Sequence, residues 1–248
     1  MRKLLTCLIL FSWALCAAIM FVASTGSQST GTCNGYATSV TCTYNVQNAG
    51  SLLVVGVAMN GATAVTAAMV TDNDSGGSTT YSQIGTEALN GATRSSLFWG
   101  SPAHTGNHVI TVNPAATNYI TIIPMEVTGA SVTSPVHATA NTTGIGTPSP
   151  LTCGTVAANA GELVVGMATY NVSGAAGFAN SGSWTLAGYL NSGATNEAGA
   201  LTYQIVPSAT NYAPLIETSW NGAAAPCIAA SLRVSSGVTP KVWHRVIQ

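Results

Sequence analysis

The chain has 248 residues, of which 47% are hydrophobic and only 5% are charged. This composition allows a packed core and argues against general disorder, which goes with low hydrophobicity and high charge. Six Lys and Arg residues stand against seven Asp and Glu residues, so the chain lacks the basic stripe of a nucleic-acid-binding protein. Uncharged polar residues must therefore cover most of the surface, and weak charge repulsion favours self-association.

The N-terminal segment has the pattern of an export signal. Arg2 and Lys3 precede an uncharged apolar run at 4–23, and small polar residues follow. We therefore predict a signal peptide at 1–24, cleaved after Ser24. Two alternatives stay open. The apolar run is long enough to remain as a membrane anchor, and a lipoprotein signal is the weaker option because no small residue precedes the nearest cysteine. All three place the rest of the chain outside the cytoplasm.

The rest of the chain contains an internal repeat. Thr41-Cys42 is followed by Asn48-Ala49-Gly50, and 111 residues later Thr152-Cys153 is followed by Asn159-Ala160-Gly161. Each Asn-Ala-Gly motif leads into an apolar run, although matching the Val-Val-Gly triplets of the two runs requires a one-residue slip. Two copies of roughly 100 residues suit two domains better than a solenoid.

The repeat sets the predicted domain boundaries. The first repeat is placed at 31–135 and the second at 147–237, joined by a linker at 136–146 that ends in Gly- and Pro-rich sequence. A C-terminal tail at 238–248 follows, which either adds a strand to a sheet or ends as a frayed terminus.

Short runs of apolar and β-branched residues between Gly, Asn, Pro and Ser clusters predict strands in both repeats. The Ala-rich stretch 62–69 is also assigned to strand, because Thr and Val interrupt it. The fold prediction is all-β, with two tandem antiparallel β-sandwich domains, Ig-like or jelly-roll-like, after an N-terminal signal helix. The predicted strands are 36–46, 52–59, 79–84, 95–99, 108–112, 119–127, 163–170, 184–187, 198–206, 214–218 and 227–234.

Four cysteines lie beyond the predicted signal, and an even number in an exported chain predicts disulfides. Three pairings are possible. We favour Cys33–Cys42, which closes a short loop, and Cys153–Cys227, which joins the first and last strands of the second repeat. A metal site is not favoured, because the chain has no C-x-x-C pair and no His at ligand spacing nearby.

The first repeat resembles a loosely defined class of secreted bacterial β-sandwich repeat modules of mostly unknown function. The resemblance rests on the run 50–55, the Val-Thr-Asp turn at 70–72 with the following Tyr81, the run 97–99 and the closing segment 126–129. The second repeat lacks the Val-Thr-Asp turn. The class includes adhesins, wall-associated proteins and appendages of large enzymes, so the resemblance implies fold and location rather than activity.

The sequence from Asp72 to Gly76 begins like a calcium-binding loop. Asp72 and Asp74 alternate as hard oxygen ligands, but no glutamate follows at the twelfth position and Glu87 is wrongly spaced. The alternative is a turn between strands, in which Asp and Asn side chains bind the local backbone. Calcium at this loop is a hypothesis, and no other cofactor is predicted.

No catalytic constellation is evident, and the chain is not predicted to be an enzyme. A G-x-S-x-G motif is absent. His104 and His108 have a zinc-ligand spacing only on a helix, so we expect them to be exposed polar residues. A secreted hydrolase is the weakest alternative, because a glycosidase carboxylate pair would have to come from acids that are spread over both repeats. Those acids are Glu126, Glu162, Glu197 and Glu217.

Aromatic residues concentrate in the second repeat, including Trp184, Tyr189 and Trp220. Exposed rings of this kind can stack on sugars, and the alternative is that they fill the core. The leading prediction is a non-enzymatic extracellular structural or adhesive protein at a cell surface or matrix. Its expected partners are a glycan, a cell wall or another copy paired through sheet edges, with membrane contact only through an uncleaved N-terminus. A secreted carbohydrate-binding module is the alternative.

Overall fold

The computed structural model describes residues 29–30, 33–73, 77–145, 150–171, 177–191, 197–219, 225–235 and 241–243. This part of the chain is all-β, as predicted, and its strand pairings are antiparallel. Within the same ranges, no helix is long and apolar enough to cross a membrane. The predicted signal segment lies outside the described residues.

Strands β1 to β9 form two sheets in the N-terminal half. The outer sheet has the order β1-β3-β8-β5, and the inner sheet has the order β2-β9-β4-β7-β6. Their bounds are β1 Ser29–Thr30, β2 Asn34–Ala37, β3 Val40–Val46, β4 Leu52–Asn60, β5 Val70–Asn73, β6 Ser82–Asn90, β7 Thr93–Gly100, β8 Gly106–Val112 and β9 Asn118–Thr128.

Strands β10 to β19 form the sheets of the C-terminal half. The inner sheet has the order β10-β19-β13-β16-β15, and two small outer sheets have the orders β11-β18-β14 and β12-β17. The bounds are β10 Val136–Ile145, β11 Leu151–Thr152, β12 Val156–Ala158, β13 Leu163–Tyr170, β14 Phe178–Ala179, β15 Thr185–Asn191, β16 Ala198–Ile205, β17 Thr210–Tyr212, β18 Leu215–Thr218 and β19 Ala225–Leu232. A last strand, β20 Lys241–Trp243, returns to pair with β9 of the first half.

Three apolar cores separate the sheets into four layers. One core lies between the outer and inner sheets of the N-terminal half, and a second lies between those of the C-terminal half. The third is shared, because side chains of both inner sheets form one buried cluster. Each inner sheet is therefore covered on both faces, which explains why β4 and β13 are apolar along almost their whole length rather than alternating.

The two inner sheets have matching strand orders, with β2-β9-β4-β7-β6 of one corresponding to β10-β19-β13-β16-β15 of the other. Across the shared core, Leu52 and Val54 correspond to Leu163 and Val165, which preserves the offset of 111 seen in the sequence. The one-residue slip that aligns the two Val-Val-Gly triplets in sequence does not match the structure, because the two glycines face different cores. Gly56 faces Met167 in the shared core, whereas the glycine of the second triplet faces the outer sheet.

The Asn-Ala-Gly motifs form equivalent turns before β4 and β13. Gly50 and Gly161 have φ angles of 74° and 83°, a left-handed conformation that glycine adopts without strain. The Gly50 amide donates to Pro102 O at 2.7 Å, and the Gly161 amide donates to Val206 O at 2.8 Å. These hydrogen bonds fix each turn against the end of the neighbouring strand, β7 or β16.

Three features differ from the sequence-based predictions. The predicted linker 136–146 contains β10, a ten-residue strand that pairs with β19, because its alternating His, Thr and Asn residues suit the open edge of a sheet. The stretch 62–69 is not a strand but ends in a short 3-10 helix, Ala67–Met69. Several short strands were not predicted: β1, β5, β11, β12, β14 and β17. In the C-terminal tail, the pairing of β20 with β9 agrees with the added-strand alternative rather than with a frayed terminus.

Candidate functional site

The described cysteines form two disulfides in the pairing favoured from the sequence. Cys33 is joined to Cys42, and Cys153 is joined to Cys227. The first bridge links the start of β2 to β3, so it crosses from the inner to the outer sheet. The second links the end of β11 to β19 and ties the same two layers in the other half. Two such bridges indicate an oxidising environment.

Asp72 takes part in a buried polar cluster instead of an open loop. Its Oδ2 atom lies 2.8 Å from His108 Nδ1 and accepts a hydrogen bond from the Tyr81 hydroxyl at 3.4 Å. Burial, followed by the charge of Asp72, raises the pKa of Tyr81 well above its ordinary value. Both contacts are made by Oδ2 of Asp72, whereas Oδ1 is buried and has no hydrogen-bond partner among the described residues. Asp74 lies outside the described residues, so calcium binding at this loop stays a hypothesis.

The expectation that His108 is exposed is wrong. Its side chain is fully buried, and its Nε2 atom lies 3.1 Å from the carbonyl oxygen of His104. The reason is strand alternation, because His108, Ile110 and Val112 all point inward from β8. His104 itself is exposed, as predicted. The pair therefore does not form a zinc site, and His108 belongs to the interior of the N-terminal half.

Glu126 and Glu162 both hold the Asn-Ala-Gly turns in place. Glu126 of β9 accepts hydrogen bonds from the Gln47 and Asn48 amides, both at 2.8 Å. Glu162 accepts from the Asn159 amide at 2.9 Å and lies 2.7 Å from His137 Nδ1. Burial works to raise the pKa of Glu162, but the hydrogen bonds from Asn159 and His137 bring it below its ordinary value. Each acid is thus an internal acceptor for a turn.

The remaining two acids of the hydrolase hypothesis also lie apart. Glu197 is fully buried between the inner sheets, where burial raises its pKa well above the ordinary value against opposing hydrogen bonds from Thr121 and Asn60. Glu217 of β18 accepts from the Ser181 hydroxyl at 3.2 Å. Each of the four glutamates thus contacts its own set of residues, so these contacts provide no support for a shared carboxylate pair.

Of the aromatic residues proposed to bind sugars, the two that the structure describes are not exposed rings. Trp184 is buried in the core of the C-terminal half, and Tyr189 packs against the same core with its ring 5.6 Å from that of Phe178. Trp220 lies outside the described residues. The physical reason is that the small outer sheets contribute few large aliphatic residues, so aromatic rings fill the space beneath them.

A groove that the sequence reasoning missed lies beside Trp99. Its volume is about 390 Å³, and its walls are the segment 77–80, Trp99, Ser101 and Ala103. The paired part of β6 and β7 ends at Ser82 and Trp99, so the groove opens where the two strands separate. Trp99 is half-buried, with one part packed against the shared core. The only sequence signal was its position at the end of a predicted strand, directly before Gly100 and Ser101.

The surface of the described residues is almost uncharged. No Asp, Glu, Lys or Arg side chain that the structure describes is exposed. Arg94, for example, donates to the carbonyl oxygens of Gly61 and Ala62 at 2.9 Å and pairs with Glu87. The buried members are Asp72, Glu126, Glu162 and Glu197, and the half-buried members are Glu87, Arg94, Glu217 and Arg233.

No protein-family model matches the chain, and neither a curated protein nor a solved structure matches it. Conclusions about function therefore depend on the chemistry of the chain's own residues.

Proposed function

We propose that this chain is an exported, non-enzymatic structural or adhesive protein whose uncharged surface contacts a neutral matrix or further copies of itself. The observation that carries the proposal is that the described acidic and basic side chains are buried or half-buried. A surface of hydroxyl and amide groups has little charge repulsion, so it can approach neutral polymers or its own copies closely. Contacts of this kind depend on hydrogen bonds and shape rather than on charge.

Export and extracellular residence are part of the proposal. The positively charged and apolar leader supports export, and the disulfides Cys33–Cys42 and Cys153–Cys227 support a site of action outside the cytoplasm. Bridges that join the layers of each half also suit a protein that must persist where it is exposed to proteases and dilution.

A tandem origin of the two halves is a further part of the proposal. The matching strand orders of the inner sheets support it, as do the equivalent turns at Gly50 and Gly161. On this interpretation, each half is one β-sandwich module, and the pair is fused through the shared core. The protein would then have two outer sheets with different surface residues, one on each side of the four layers.

The proposal is tested by co-sedimentation with insoluble neutral polysaccharide and by sedimentation velocity over a range of protein concentrations. We expect adsorption or self-association that changes little between about 0.02 and 0.5 M salt, because few exposed charges are available for screening. A protein that stays monomeric and does not adsorb would contradict the proposal. So would adsorption that is lost steeply with added salt.

A charged variant provides the matched control. Thr71, Asn107 and Asn211 are exposed residues of the outer sheets, and replacing all three with Lys adds charge without touching a core. We expect this triple variant to self-associate less than the natural chain at low salt and to recover at high salt, since screening then removes the added repulsion. Identical behaviour at both salt concentrations would show that surface charge is irrelevant to association.

A further inference from the structure

We infer that the groove beside Trp99 is a binding site for a neutral sugar unit of a glycan. This inference rests on the proposed adhesive function and names the place where a neutral polymer is held. Trp99 contributes an aromatic indole to the lining, and Ser78, Thr80 and Ser101 contribute residues with hydroxyl groups.

The shape of the groove fits a small ligand. Its volume of about 390 Å³ lies within the range of about 300–1,000 Å³ that is usual for small-molecule sites. Gly100 helps to set this shape, because a Cβ atom at that position would lie 2.6 Å from Thr79 Cγ2 and 3.1 Å from the Thr80 carbonyl oxygen. Only glycine lets the 79–80 segment approach β7 this closely, so the wall of the groove is held against a paired strand.

The lining selects the chemical class of the ligand. None of the lining residues that the structure describes is ionisable, so at those residues a charged ligand would lose hydration without gaining a partner charge. A purely apolar ligand would leave the hydroxyls around the indole without hydrogen bonds, which is also costly. A sugar meets both conditions, because its ring offers an apolar C–H face to the indole and hydroxyl groups at its rim.

Other aromatic positions are less suitable. Tyr36 is 61% exposed, and its ring centroid lies 4.5 Å from that of Tyr119. Tyr36 lies on β2 at the edge of the inner sheet, and Tyr119 lies on the adjacent strand β9. Tyr36 therefore serves as a control for non-specific stacking on an exposed ring.

The test is a titration of the disulfide-bonded protein with disaccharides of glucose, mannose, galactose and N-acetylglucosamine, followed by calorimetry and tryptophan fluorescence. Glucuronic acid and sorbitol are the charged and acyclic controls. We expect saturable binding of at least one neutral disaccharide and none of either control. Ala103→Tyr, which places a ring in the groove from an exposed position, should abolish that binding, whereas Thr105→Tyr on the same loop and Tyr36→Ala should leave it unchanged.

Trp99→Ala should weaken binding about fivefold to tenfold, in the range of a lost aromatic contact, and Trp99→Tyr should restore most of it. The inference is wrong if no neutral disaccharide binds saturably or if Ala103→Tyr binds as well as the natural protein. If the Ala103→Tyr variant still adsorbs to insoluble polysaccharide, the groove is not the sugar-binding site, although the adhesive function is still supported. Disaccharide binding without adsorption or self-association would support the groove as a sugar site and contradict the adhesive function.

Discussion

Replacing Glu197 with Gln should change how the stability of the fold depends on pH. Glu197 lies directly before β16 and is fully buried between the inner sheets. Burial raises its pKa well above the ordinary value of 4.5, and hydrogen bonds from Thr121 and Asn60 oppose the rise only in part. Gln has nearly the same size and shape but cannot ionise, so Glu197→Gln removes the titration while preserving the packing.

The direction and slope of the change in unfolding free energy with pH follow from proton linkage. Because the pKa of Glu197 is higher in the folded state, the folded protein binds more protons than the unfolded chain above pH 4.5. The stability from this group is complete below pH 4.5 and is lost as the pH rises through the folded pKa. Over that interval the loss is about 1.4 kcal/mol per pH unit. The stability of Glu197→Gln relative to the natural protein should therefore grow by about this amount for each unit.

The assay is equilibrium unfolding in urea at a series of pH values, with the difference in unfolding free energy between variant and natural protein as the readout. Taking the difference cancels the other titrating groups, provided that the m-values agree. Glu162→Gln is the comparison of opposite sign. The pKa of Glu162 is lowered in the folded state, so its stabilisation is present above pH 4.5 and is lost as the pH falls. A flat difference for Glu197→Gln would refute the reasoning.

Two further predictions concern the covalent and packing constraints of the C-terminal half. Replacing Cys153 and Cys227 with Ala should lower the free energy of unfolding by about 4–5 kcal/mol, because the bridge closes a loop with a sequence separation of 74 residues. Urea unfolding should show a smaller loss, about 3 kcal/mol, when the Cys33–Cys42 bridge of separation 9 is removed. A larger loss for the shorter loop would contradict this prediction. Gly166→Ala should cost about 1–3 kcal/mol, since its Cβ would lie 2.5 Å from that of Pro214. Gly56→Ala, which meets mainly the end of a flexible Met side chain, should cost less by thermal melting.

The fold class followed from the sequence because strand signals are local. The run Leu163–Tyr170 was predicted with its observed bounds, since a continuous apolar run between turn residues has no other favourable conformation in an all-β chain. Short strands such as β14, with two residues, carry no periodicity and form only because a neighbouring strand is in place. The polar residues of the edge strand β10 resemble loop sequence and therefore predict a linker, although they alternate along the chain as strand residues do.

The interior polar groups were harder to predict, and here a usable signal was missed. His108 lies two positions before Ile110, and Asp72 lies two positions after Val70. Residues two apart in a strand share a face, so this spacing already predicts that both polar side chains point inward. Assigning a polar residue to the core requires a partner, and the partner here is distant in sequence. Glu126 illustrates the same limit, because it meets Asn48 across 78 residues.

The internal use of the acids explains why the groove, rather than a charged patch, is the place to look for recognition. Glu126 and Glu162 act as acceptors for turns, and Asp72 pairs with His108 inside a sandwich. Side chains committed to such partners cannot also face a ligand without leaving a buried donor unsatisfied. On the proposed adhesive function, recognition at the described surface depends on hydroxyl and amide groups and on accessible rings. Trp99 borders a groove of ligand size, so binding there should resist salt and respond to competing sugars.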